Sequence, residues 1–310
     1  MTNTTLFSMK KSILDQKHFY NEKAAFAYVE GIVWKDGKTC PHCGNAAKFY
    51  ELKARVGLNK CGECKKEFTV RIGTIFEDSK IPLHKWLQAI FLLSSSKKGI
   101  SSHQIHRTLQ ITYKSAWFLT HRIREIMKPC GNVDMMGGEG KIIEADETFL
   151  GNKGKQRKGA RGYEHKEKVF SLVERGGKVR SQHVQFVNTK TLVPILKQNV
   201  AQETTIMTDD AGQYSFLNRD FKEHKVIAHS RKEYVVGHIH TNTIEGFFSI
   251  FKRGMKGVYQ HCNSNHLKRY LCEFDFRYNT KENTDSERAD LALAGVRGKR
   301  LTYRTSSIAQ

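Results

Sequence analysis

Two pairs of cysteines in the N-terminal third of the chain constrain its fold most strongly. They follow the spacing Cys-x2-Cys-x17-Cys-x2-Cys, in which each tight turn aims two thiolates at one metal ion. Two such turns supply the tetrahedron that Zn²⁺ accepts, and four sulfur ligands leave no open position for catalysis. We therefore predict one structural Zn²⁺ in a zinc ribbon across residues 35–80, with short strands at 48–52 and 67–72. The predicted ligands are Cys40, Cys43, Cys61 and Cys64.

The charge balance of the chain indicates a polyanionic partner. Its 310 residues include 52 Lys and Arg against 31 Asp and Glu, a formal net charge of +21. A field of this sign favours nucleic acid, and the alternative is a basic protein without such a partner. The densest basic stretch, residues 151–168, predicts a Gly- and Lys-rich loop that orders on DNA. The side chains expected to contact the DNA backbone there are Lys153, Lys155, Arg157 and Lys158.

The sequence contains no candidate membrane segment. No apolar run approaches the roughly 18 residues of a membrane span, and residues 1–11 lack the apolar core of a signal peptide. We therefore expect an intracellular protein, in which the remaining cysteines are reduced thiols rather than disulfides. These cysteines are Cys130, Cys262 and Cys272.

Helical patterns lie on both sides of the zinc ribbon. Residues 1–34 include a loose apolar stripe that predicts one helix. Apolar residues at helical spacing predict three more helices over residues 81–134, with Gly99 ending the first and Thr112 starting the third. This order fits a helix-turn-helix, and the alternative is a three-helix bundle used for packing alone. The side chains predicted to face DNA are Lys114, His121, Arg122 and Arg124.

The rest of the chain alternates strands and helices. After a Gly-rich linker at 135–140, the pattern predicts three strands, a helix, a strand, a helix, a strand and a final helix. This is the order of a ribonuclease H-like domain, which we place at residues 141–285. The predicted fold class is therefore α/β: a ribonuclease H-like mixed sheet flanked by helices, preceded by a zinc ribbon and a helix-turn-helix. Residues 286–310 are expected to form a loose basic tail.

The stretch from His240 to Gly254 predicts the final, amphipathic helix. Thr241 or Asn242 is expected to cap its start, and Gly254 to end it. Glu245 lies in the first turn, where the helix dipole favours a carboxylate, and the alternative is an ordinary solvated Glu. The apolar stripe that would bury this helix is Ile244, Phe247, Phe248 and Phe251.

Three carboxylates fall where this topology brings its elements together. Asp146 lies late in the first predicted strand and Asp209 ends the fourth. Because these two strands are neighbours in a ribonuclease H-like sheet, both carboxylates should converge with Glu245 on the final helix. Three hard oxygen ligands at one sheet edge suit two Mg²⁺ ions, which keep several waters and bind substrate phosphate.

Neighbouring acidic residues compete for these assignments. Glu144 shares the strand parity of Asp146, and Glu147 follows Asp146 directly. Asp210 follows Asp209 in the same way. Spacing alone leaves these alternatives open, because each would place a carboxylate near the same sheet edge.

A series of short motifs runs through residues 20–280 in a specific order. The motifs are Trp34-x-Asp-Gly before Cys-Pro-His-Cys-Gly, Glu144-Ala-Asp-Glu-Thr, Thr208-Asp, His240-Thr-Asn-Thr-Ile-Glu-Gly, Lys252-Arg-Gly, Tyr259-x-His261, His266-Leu-x-Arg-Tyr270 and Glu273-Phe-x-x-Arg277-Tyr-Asn279. Together they resemble the bacterial insertion-sequence transposases of the DDE type that carry an N-terminal zinc ribbon.

The resemblance implies a DNA transposase whose catalytic, Mg²⁺-binding residues are Asp146, Asp209 and Glu245, with Mn²⁺ able to replace Mg²⁺. Such a protein would bind the terminal inverted repeats of its element, cleave them and transfer the strand, acting as a dimer on double-stranded DNA in the bacterial cytoplasm, at the nucleoid. It would need no membrane and no small-molecule substrate. The alternatives are a structure-selective nuclease of the same fold and a non-catalytic DNA-binding regulator. Further residues predicted to support catalysis or contact DNA are His240, Lys252 and Arg253.

Overall fold

The computed structural model of the protein has three connected parts. A small antiparallel sheet lies near the N-terminus, a helical body follows it, and a five-stranded mixed sheet carries the C-terminal half. None of the helices in the described part of the chain combines the length and the apolar character needed to cross a membrane. The described residues are 12–129, 131, 133–151, 163–227 and 239–302.

The N-terminal part is a helix followed by a three-stranded antiparallel sheet. Helix α1 (Glu22–Val33), which the sequence predicts, begins after Asn21, whose side-chain oxygen accepts a hydrogen bond from the Ala24 amide at 3.0 Å. The strands are β1 (Phe49–Glu51), β2 (Asn59–Cys61) and β3 (Glu67–Phe68). Strand β2 pairs with both others, and the sequence pattern does not predict it because Asn-Lys-Cys shows no apolar alternation.

Three helices follow in the predicted order. They are α2 (Leu83–Ser95), α3 (Ser102–Leu109) and α4 (Tyr113–Ile126). Ser101 caps α3 and Thr112 caps α4, each through a hydroxyl that accepts an amide hydrogen bond at 3.1 or 3.2 Å. Gln110, with a left-handed φ of 50°, makes the turn between α3 and α4. The helices match the predicted segment, whereas a helix-turn-helix that reads DNA remains a prediction.

The C-terminal half is built on a mixed sheet with the strand order β6-β5-β4-β7-β8. Its strands are β4 (Ile142–Leu150), β5 (Glu167–Glu174), β6 (Val179–Val184), β7 (Thr205–Asp209) and β8 (Glu223–Ile227). The first three pair antiparallel in sequence order, whereas β7 runs parallel to both β4 and β8. This arrangement confirms the predicted ribonuclease H-like sheet and the predicted pairing of its first and fourth strands.

Helices cover both faces of the sheet. The helices are α5 (Thr189–Asn199), α6 (Asn242–Gly254) and α7 (Ser264–Asn279). Ile143 and Ala145 of β4 pack in the core beneath α5, whereas Leu150 packs in the core beneath α6 and α7. Because side chains alternate along a strand, even-numbered positions of β4, including Glu144 and Asp146, face α6.

The connection between β7 and β8 differs from the prediction. The sequence pattern predicts a short helix at 214–221, and the structure has two 3-10 turns, Gly212–Tyr214 and Leu217–Arg219. Tyr214 and Leu217 are buried beneath the sheet. These two buried side chains anchor a loop rather than the apolar face of a helix.

Helix α6 ends at Gly254, as predicted, but this glycine does not adopt the left-handed conformation of a helix-ending glycine. Its φ is −67°, and the chain continues as a π-helical turn over Met255–Tyr259. Glycine is needed at this position for close packing, since a Cβ would lie 2.4 Å from the Phe274 ring and 2.7 Å from the Lys98 carbonyl oxygen.

The segment after residue 285 is not the loose basic tail that the sequence suggested. Helix α8 (Asp285–Ala294) packs on α2, and Val296 and Leu301 are buried in the same core. The Ile75 amide donates a hydrogen bond to the Val296 carbonyl at 3.1 Å. The buried face of α8 contains one large apolar residue, Leu293, beside Ala289 and Ala292, so no strong apolar stripe predicts this packing.

A buried ionic cluster joins the helical body to the mixed sheet. Glu273 of α7 accepts a hydrogen bond from Arg124 of α4 at 2.6 Å, and it also binds Arg277 and the Tyr259 hydroxyl. Arg277 in turn donates to the Leu93 carbonyl of α2 at 3.0 Å. These contacts give Tyr259, Glu273 and Arg277 a structural role.

We expect Glu273→Gln to lower the stability of the protein severely. Both Arg124 and Glu273 are almost fully buried, so removing the negative charge leaves buried arginines without compensation, at a cost of about 3–5 kcal/mol. Glu125→Gln is the matched control, because the Glu125–Arg269 pair is partly exposed and should contribute less than about 1 kcal/mol. Urea unfolding of both variants measures the difference, and equal midpoints would contradict it.

Candidate active site and metal centre

The four predicted cysteine ligands converge at one point of the N-terminal sheet. Their sulfur atoms lie within 4.8 Å of one another, with Cys40 and Cys64 separated by 3.7 Å and Cys43 and Cys61 by 3.6 Å. A tetrahedron with Zn–S bonds of about 2.3 Å places its sulfurs about 3.8 Å apart, so this geometry fits one Zn²⁺. Within the described ranges, no other set of three or more His, Cys, Asp or Glu side chains is gathered as closely.

Groups around Cys61 favour the thiolate form that binds metal. The Asn45 amide donates to Cys61 Sγ at 3.5 Å, and this hydrogen bond lowers the pKa of the Cys61 thiol to about 6. The rings of Trp34 and Phe49 pack edge-on against Phe68 beside the cluster. This small core cannot hold a sheet of three short strands by itself, so the metal would complete it.

Asp146 and Asp209 stand at the same level on adjacent parallel strands. Glu144 of β4 lies opposite Met207 of β7, and each aspartate is two residues further along its strand. Glu245 comes from the first turn of α6, which packs on the sheet face that Asp146 shares. The topology thus brings the three predicted elements to one edge of the sheet.

The raised pKa of Asp146 shows that the neighbouring carboxylates act on it. Burial raises the pKa of Asp146 to about 8, and repulsion from Glu147, Asp209 and Glu245 adds to the rise. A hydrogen bond from the Glu147 amide to Asp146 Oδ1, at 2.7 Å, opposes the shift. Such concentrated negative charge is the environment in which a divalent cation binds.

The three carboxylates are arranged more openly than the cysteines. Their oxygen atoms do not all lie within 4.8 Å of one another. Carboxylate oxygens are the hard donors that Mg²⁺ prefers, and two ions about 4 Å apart take a wider ligand set than one ion. Glu245 is exposed, and its Oε1 accepts a hydrogen bond from the Thr241 hydroxyl at 3.1 Å.

Glu147 adds a fourth carboxylate behind the site. It accepts hydrogen bonds from the Tyr214 hydroxyl and, at 3.4 Å, from the Gln213 amide. Burial raises the pKa of Glu147 to about 7, with the Tyr214 hydrogen bond opposing the rise and Asp209 reinforcing it. Since odd-numbered positions of β4 face α5, Glu147 contributes charge from the side of the sheet opposite Asp146.

The other competing acidic residues have different surroundings. Glu144 is fully buried, and its two oxygens bind Arg175 and the first turn of α6. Asp210 is exposed just beyond the end of β7. Position therefore favours Asp146 and Asp209, as the resemblance implied, and their roles remain predictions.

Arg175 binds His240, which lies in the segment that leads into α6. The Arg175 guanidinium donates to the His240 carbonyl at 2.7 Å and lies 3.0 Å from its Nδ1. At the other end of α6, Lys252 is half-buried, and the exposed Arg253 donates to Ser249 Oγ at 2.7 Å. A supporting role for His240 and DNA contacts for Lys252 and Arg253 remain predictions.

Arg122 is not placed to contact DNA, which corrects the sequence prediction. It is buried between the rings of Trp86 and Phe118, and its guanidinium donates to the Glu77 carbonyl at 2.6 Å. The same correction applies to two neighbours on α4, because this helix packs against both α2 and α7 and turns these positions inward. The neighbours are the fully buried His121 and Arg124.

The remaining predicted DNA contacts divide into two groups. Lys114 lies exposed in the first turn of α4, where the prediction stands. Four predicted loop contacts and one cysteine lie outside the described residues. They are Lys153, Lys155, Arg157, Lys158 and Cys130.

Arg175, which follows β5 in the turn to β6, binds Glu144 and His240, and the sequence pattern does not predict this role. Its Arg-Gly-Gly sequence looked like an ordinary hairpin turn. A signal was present, however, because a carboxylate buried at Glu144 requires a cationic or hydrogen-bonding partner, and Arg175 follows the adjacent strand.

Two families of known proteins match the chain. Residues 136–279 match the ISXO2-like transposase domain, and residues 20–67 match the transposase zinc-ribbon domain. Together the two stretches cover more than half of the chain, and they contain all four cysteines as well as Asp146, Asp209 and Glu245.

Individual proteins also resemble the chain. A protein in transposable element ISH50 of Halobacterium salinarum is 27% identical over 279 residues, covering 84% of this chain and 92% of the relative. A chain of the simian T-cell lymphotropic virus intasome, solved with PP2A regulatory subunit B56 gamma, matches 55% of this chain and 67% of its own length. Its identity is 13% and its TM-score 0.29, a likeness too distant to inform the fold. The zinc ribbon, the mixed sheet and the two matched families place this chain among the insertion-sequence DDE transposases with an N-terminal zinc ribbon.

Proposed function

We propose that this transposase is a Mg²⁺-dependent enzyme that cleaves DNA at the ends of an insertion sequence and joins the freed strand to a target. The observation that supports this most is the position of Asp146 and Asp209 at one level of adjacent strands. Glu245 reaches the same site from α6, close enough for its charge to act on Asp146.

The proposed mechanism depends on carboxylates held by the fold. Asp146, Asp209 and Glu245 would hold two Mg²⁺ ions through their oxygens. When bound, the ions supply activation of the attacking oxygen and stabilisation of the leaving oxygen. The Glu147 amide orients the Asp146 carboxylate through its hydrogen bond. One site can serve both cleavage by water and joining by a 3′-hydroxyl, because each step is an in-line phosphoryl transfer governed by positioning and charge.

Double-stranded DNA is the proposed partner, in keeping with the net charge of +21. The zinc ribbon and the helices α2 to α4 would bind the terminal inverted repeats. Lys114 is exposed in the first turn of α4, and a recognition helix contacts bases through its N-terminal residues. A dimer acting at the nucleoid in the cytoplasm would bring two element ends together.

A joining assay tests the proposal. Purified protein is incubated with a labelled element-end duplex and a target plasmid in Mg²⁺, in Mn²⁺ or in EDTA. We expect a cleaved strand and a strand joined to the plasmid, both only with divalent metal. Cleavage without joining would assign a nuclease, and binding without either reaction would assign a DNA-binding regulator.

We expect DNA affinity to fall steeply with salt, because bound Lys and Arg release counterions from phosphates. Replacing Lys153, Lys155, Arg157 and Lys158 by Gln should reduce the slope of log affinity against log salt by roughly one unit for each phosphate that is no longer neutralised. Fluorescence anisotropy across a salt series measures the slope. An unchanged slope would show that this basic stretch does not meet the DNA backbone.

A further inference from the structure

Glu144 is a fully buried carboxylate that the proposed chemistry does not use. It lies two residues before Asp146 on the same face of β4, and its side chain has no exposed surface. A buried carboxylate is costly unless charge and hydrogen bonds compensate it, so its partners indicate its role.

Two of these partners belong to the first turn of α6. The Ile244 amide donates to Glu144 Oε2 at 2.9 Å, and the Thr243 hydroxyl donates to Oε1 at 2.8 Å. The first amides of a helix have no partner within the helix, and a carboxylate is favoured there. Thr241, at the N-cap position, makes no capping hydrogen bond and instead donates to Glu245. The cap of the Ile244 amide therefore comes from β4, whereas the Asn242 amide donates locally to His240 Nδ1 at 3.4 Å.

Arg175 connects this cap to the rest of the sheet. Its Nε donates to Glu144 Oε1 at 2.6 Å, and its Nη2 donates to the His240 carbonyl at 2.7 Å. Its backbone amide donates to the Ile142 carbonyl of β4 at 3.1 Å. The ion pair of Arg175 with the buried Glu144 thus connects the strand that carries Asp146, the segment that enters α6 and the first turn that carries Glu245.

We propose that Glu144 is a positioning residue, which fixes the first turn of α6 so that Glu245 is held at a set distance from Asp146. The inference rests on the proposed roles of Asp146 and Glu245. Catalytic groups displaced by about 1 Å lose on the order of 10²-fold in rate, so loosening this turn should slow the reaction without weakening DNA binding.

The test combines kinetics with hydrogen exchange of the full-length protein. Glu144→Gln keeps the size of the side chain but removes the charge that pairs with Arg175. We expect kcat for element-end cleavage to fall about 10- to 100-fold, KM for the duplex to change less than about twofold, and amides 243–246 to exchange at least about tenfold faster. Glu174→Gln is the matched control, because Glu174 lies in the same sheet and contacts Gly137 and Lys141 but not α6.

Unchanged exchange in α6 of Glu144→Gln would overturn the proposal, whatever the cleavage rate, and so would an equal effect of Glu174→Gln. Should Glu144→Gln fail to fold, Thr243→Val removes one hydrogen bond to the same carboxylate. It should raise exchange and slow cleavage to a smaller extent, and no change in either would equally contradict the role. If Glu245→Gln cleaves normally while Glu144→Gln loosens α6, the proposed catalytic assignment fails and the positioning of α6 stands.

Discussion

Asp146→Asn, Asp209→Asn and Glu245→Gln should each abolish strand cleavage and strand transfer, with rate losses of about 10³-fold or more. An amide keeps the size of the side chain but loses the negative charge that two adjacent Mg²⁺ ions require, and ions at such a site lower the barrier by several kcal/mol. Cleavage of a labelled element-end duplex in Mg²⁺ measures the loss, and binding to the same duplex should persist.

Folding should survive the Asp146 substitution. Burial raises the pKa of Asp146 to about 8 from its ordinary value of 3.8, so the folded protein binds this proton more tightly than the unfolded chain does. Without metal, the wild type therefore loses stability as pH rises from about 4 to about 8, and Asp146→Asn escapes that loss. At pH 8 its melting temperature should equal or exceed that of the wild type.

Asp210→Asn is the control for the catalytic set, since Asp210 is exposed beyond the strand end. It should retain cleavage. Loss of cleavage in Asp210→Asn, together with activity in Asp209→Asn, would reverse the assignment of these neighbours.

Removing zinc should unfold the N-terminal sheet and weaken binding to element ends by about 10²-fold or more. Structural Zn²⁺ contributes roughly 10–16 kcal/mol of apparent binding free energy in small zinc domains, and the sheet here has only three short strands. Cys40→Ser removes one of the four ligands. Metal analysis should find one zinc per wild-type chain and far less in the variant, together with loss of far-ultraviolet signal from the ribbon.

Cys272→Ser is the matched control for the zinc site. Cys272 is not a member of the four-cysteine cluster. Burial raises the pKa of its thiol to about 12, so the thiol is protonated. The control should keep its zinc and its DNA affinity. A wild-type protein with a folded ribbon and no zinc would contradict the structural role of the metal.

Features set by local spacing could be predicted from the sequence. Each Cys-x2-Cys pair fixes one turn, and the two pairs meet as their chemistry requires. Alternating and helical periods predict the order of strands and helices, and the topology of a ribonuclease H-like sheet then places Asp146 beside Asp209. The caps at Ser101 and Thr112 are also local, since each hydroxyl binds an amide three residues away.

Features set by distant partners could not be predicted. The cap of the Ile244 amide comes from Glu144, 100 residues earlier in the chain, so no local pattern reveals it. The basic residues of α4 predict contacts with DNA, but the packing of neighbouring elements buries Arg122 against Trp86. Helix α8 was missed for the same reason, because its burial depends on α2, which lies about 200 residues earlier in the chain.

The most direct test of the catalytic assignment is a crystal structure of the protein bound to element-end DNA in Mn²⁺, with anomalous diffraction to locate the ions. We predict two anomalous peaks about 4 Å apart, coordinated by Asp146, Asp209 and Glu245 beside the scissile phosphate. Peaks coordinated by Glu144 or Asp210 instead, or no peak at this edge of the sheet, would contradict the assignment.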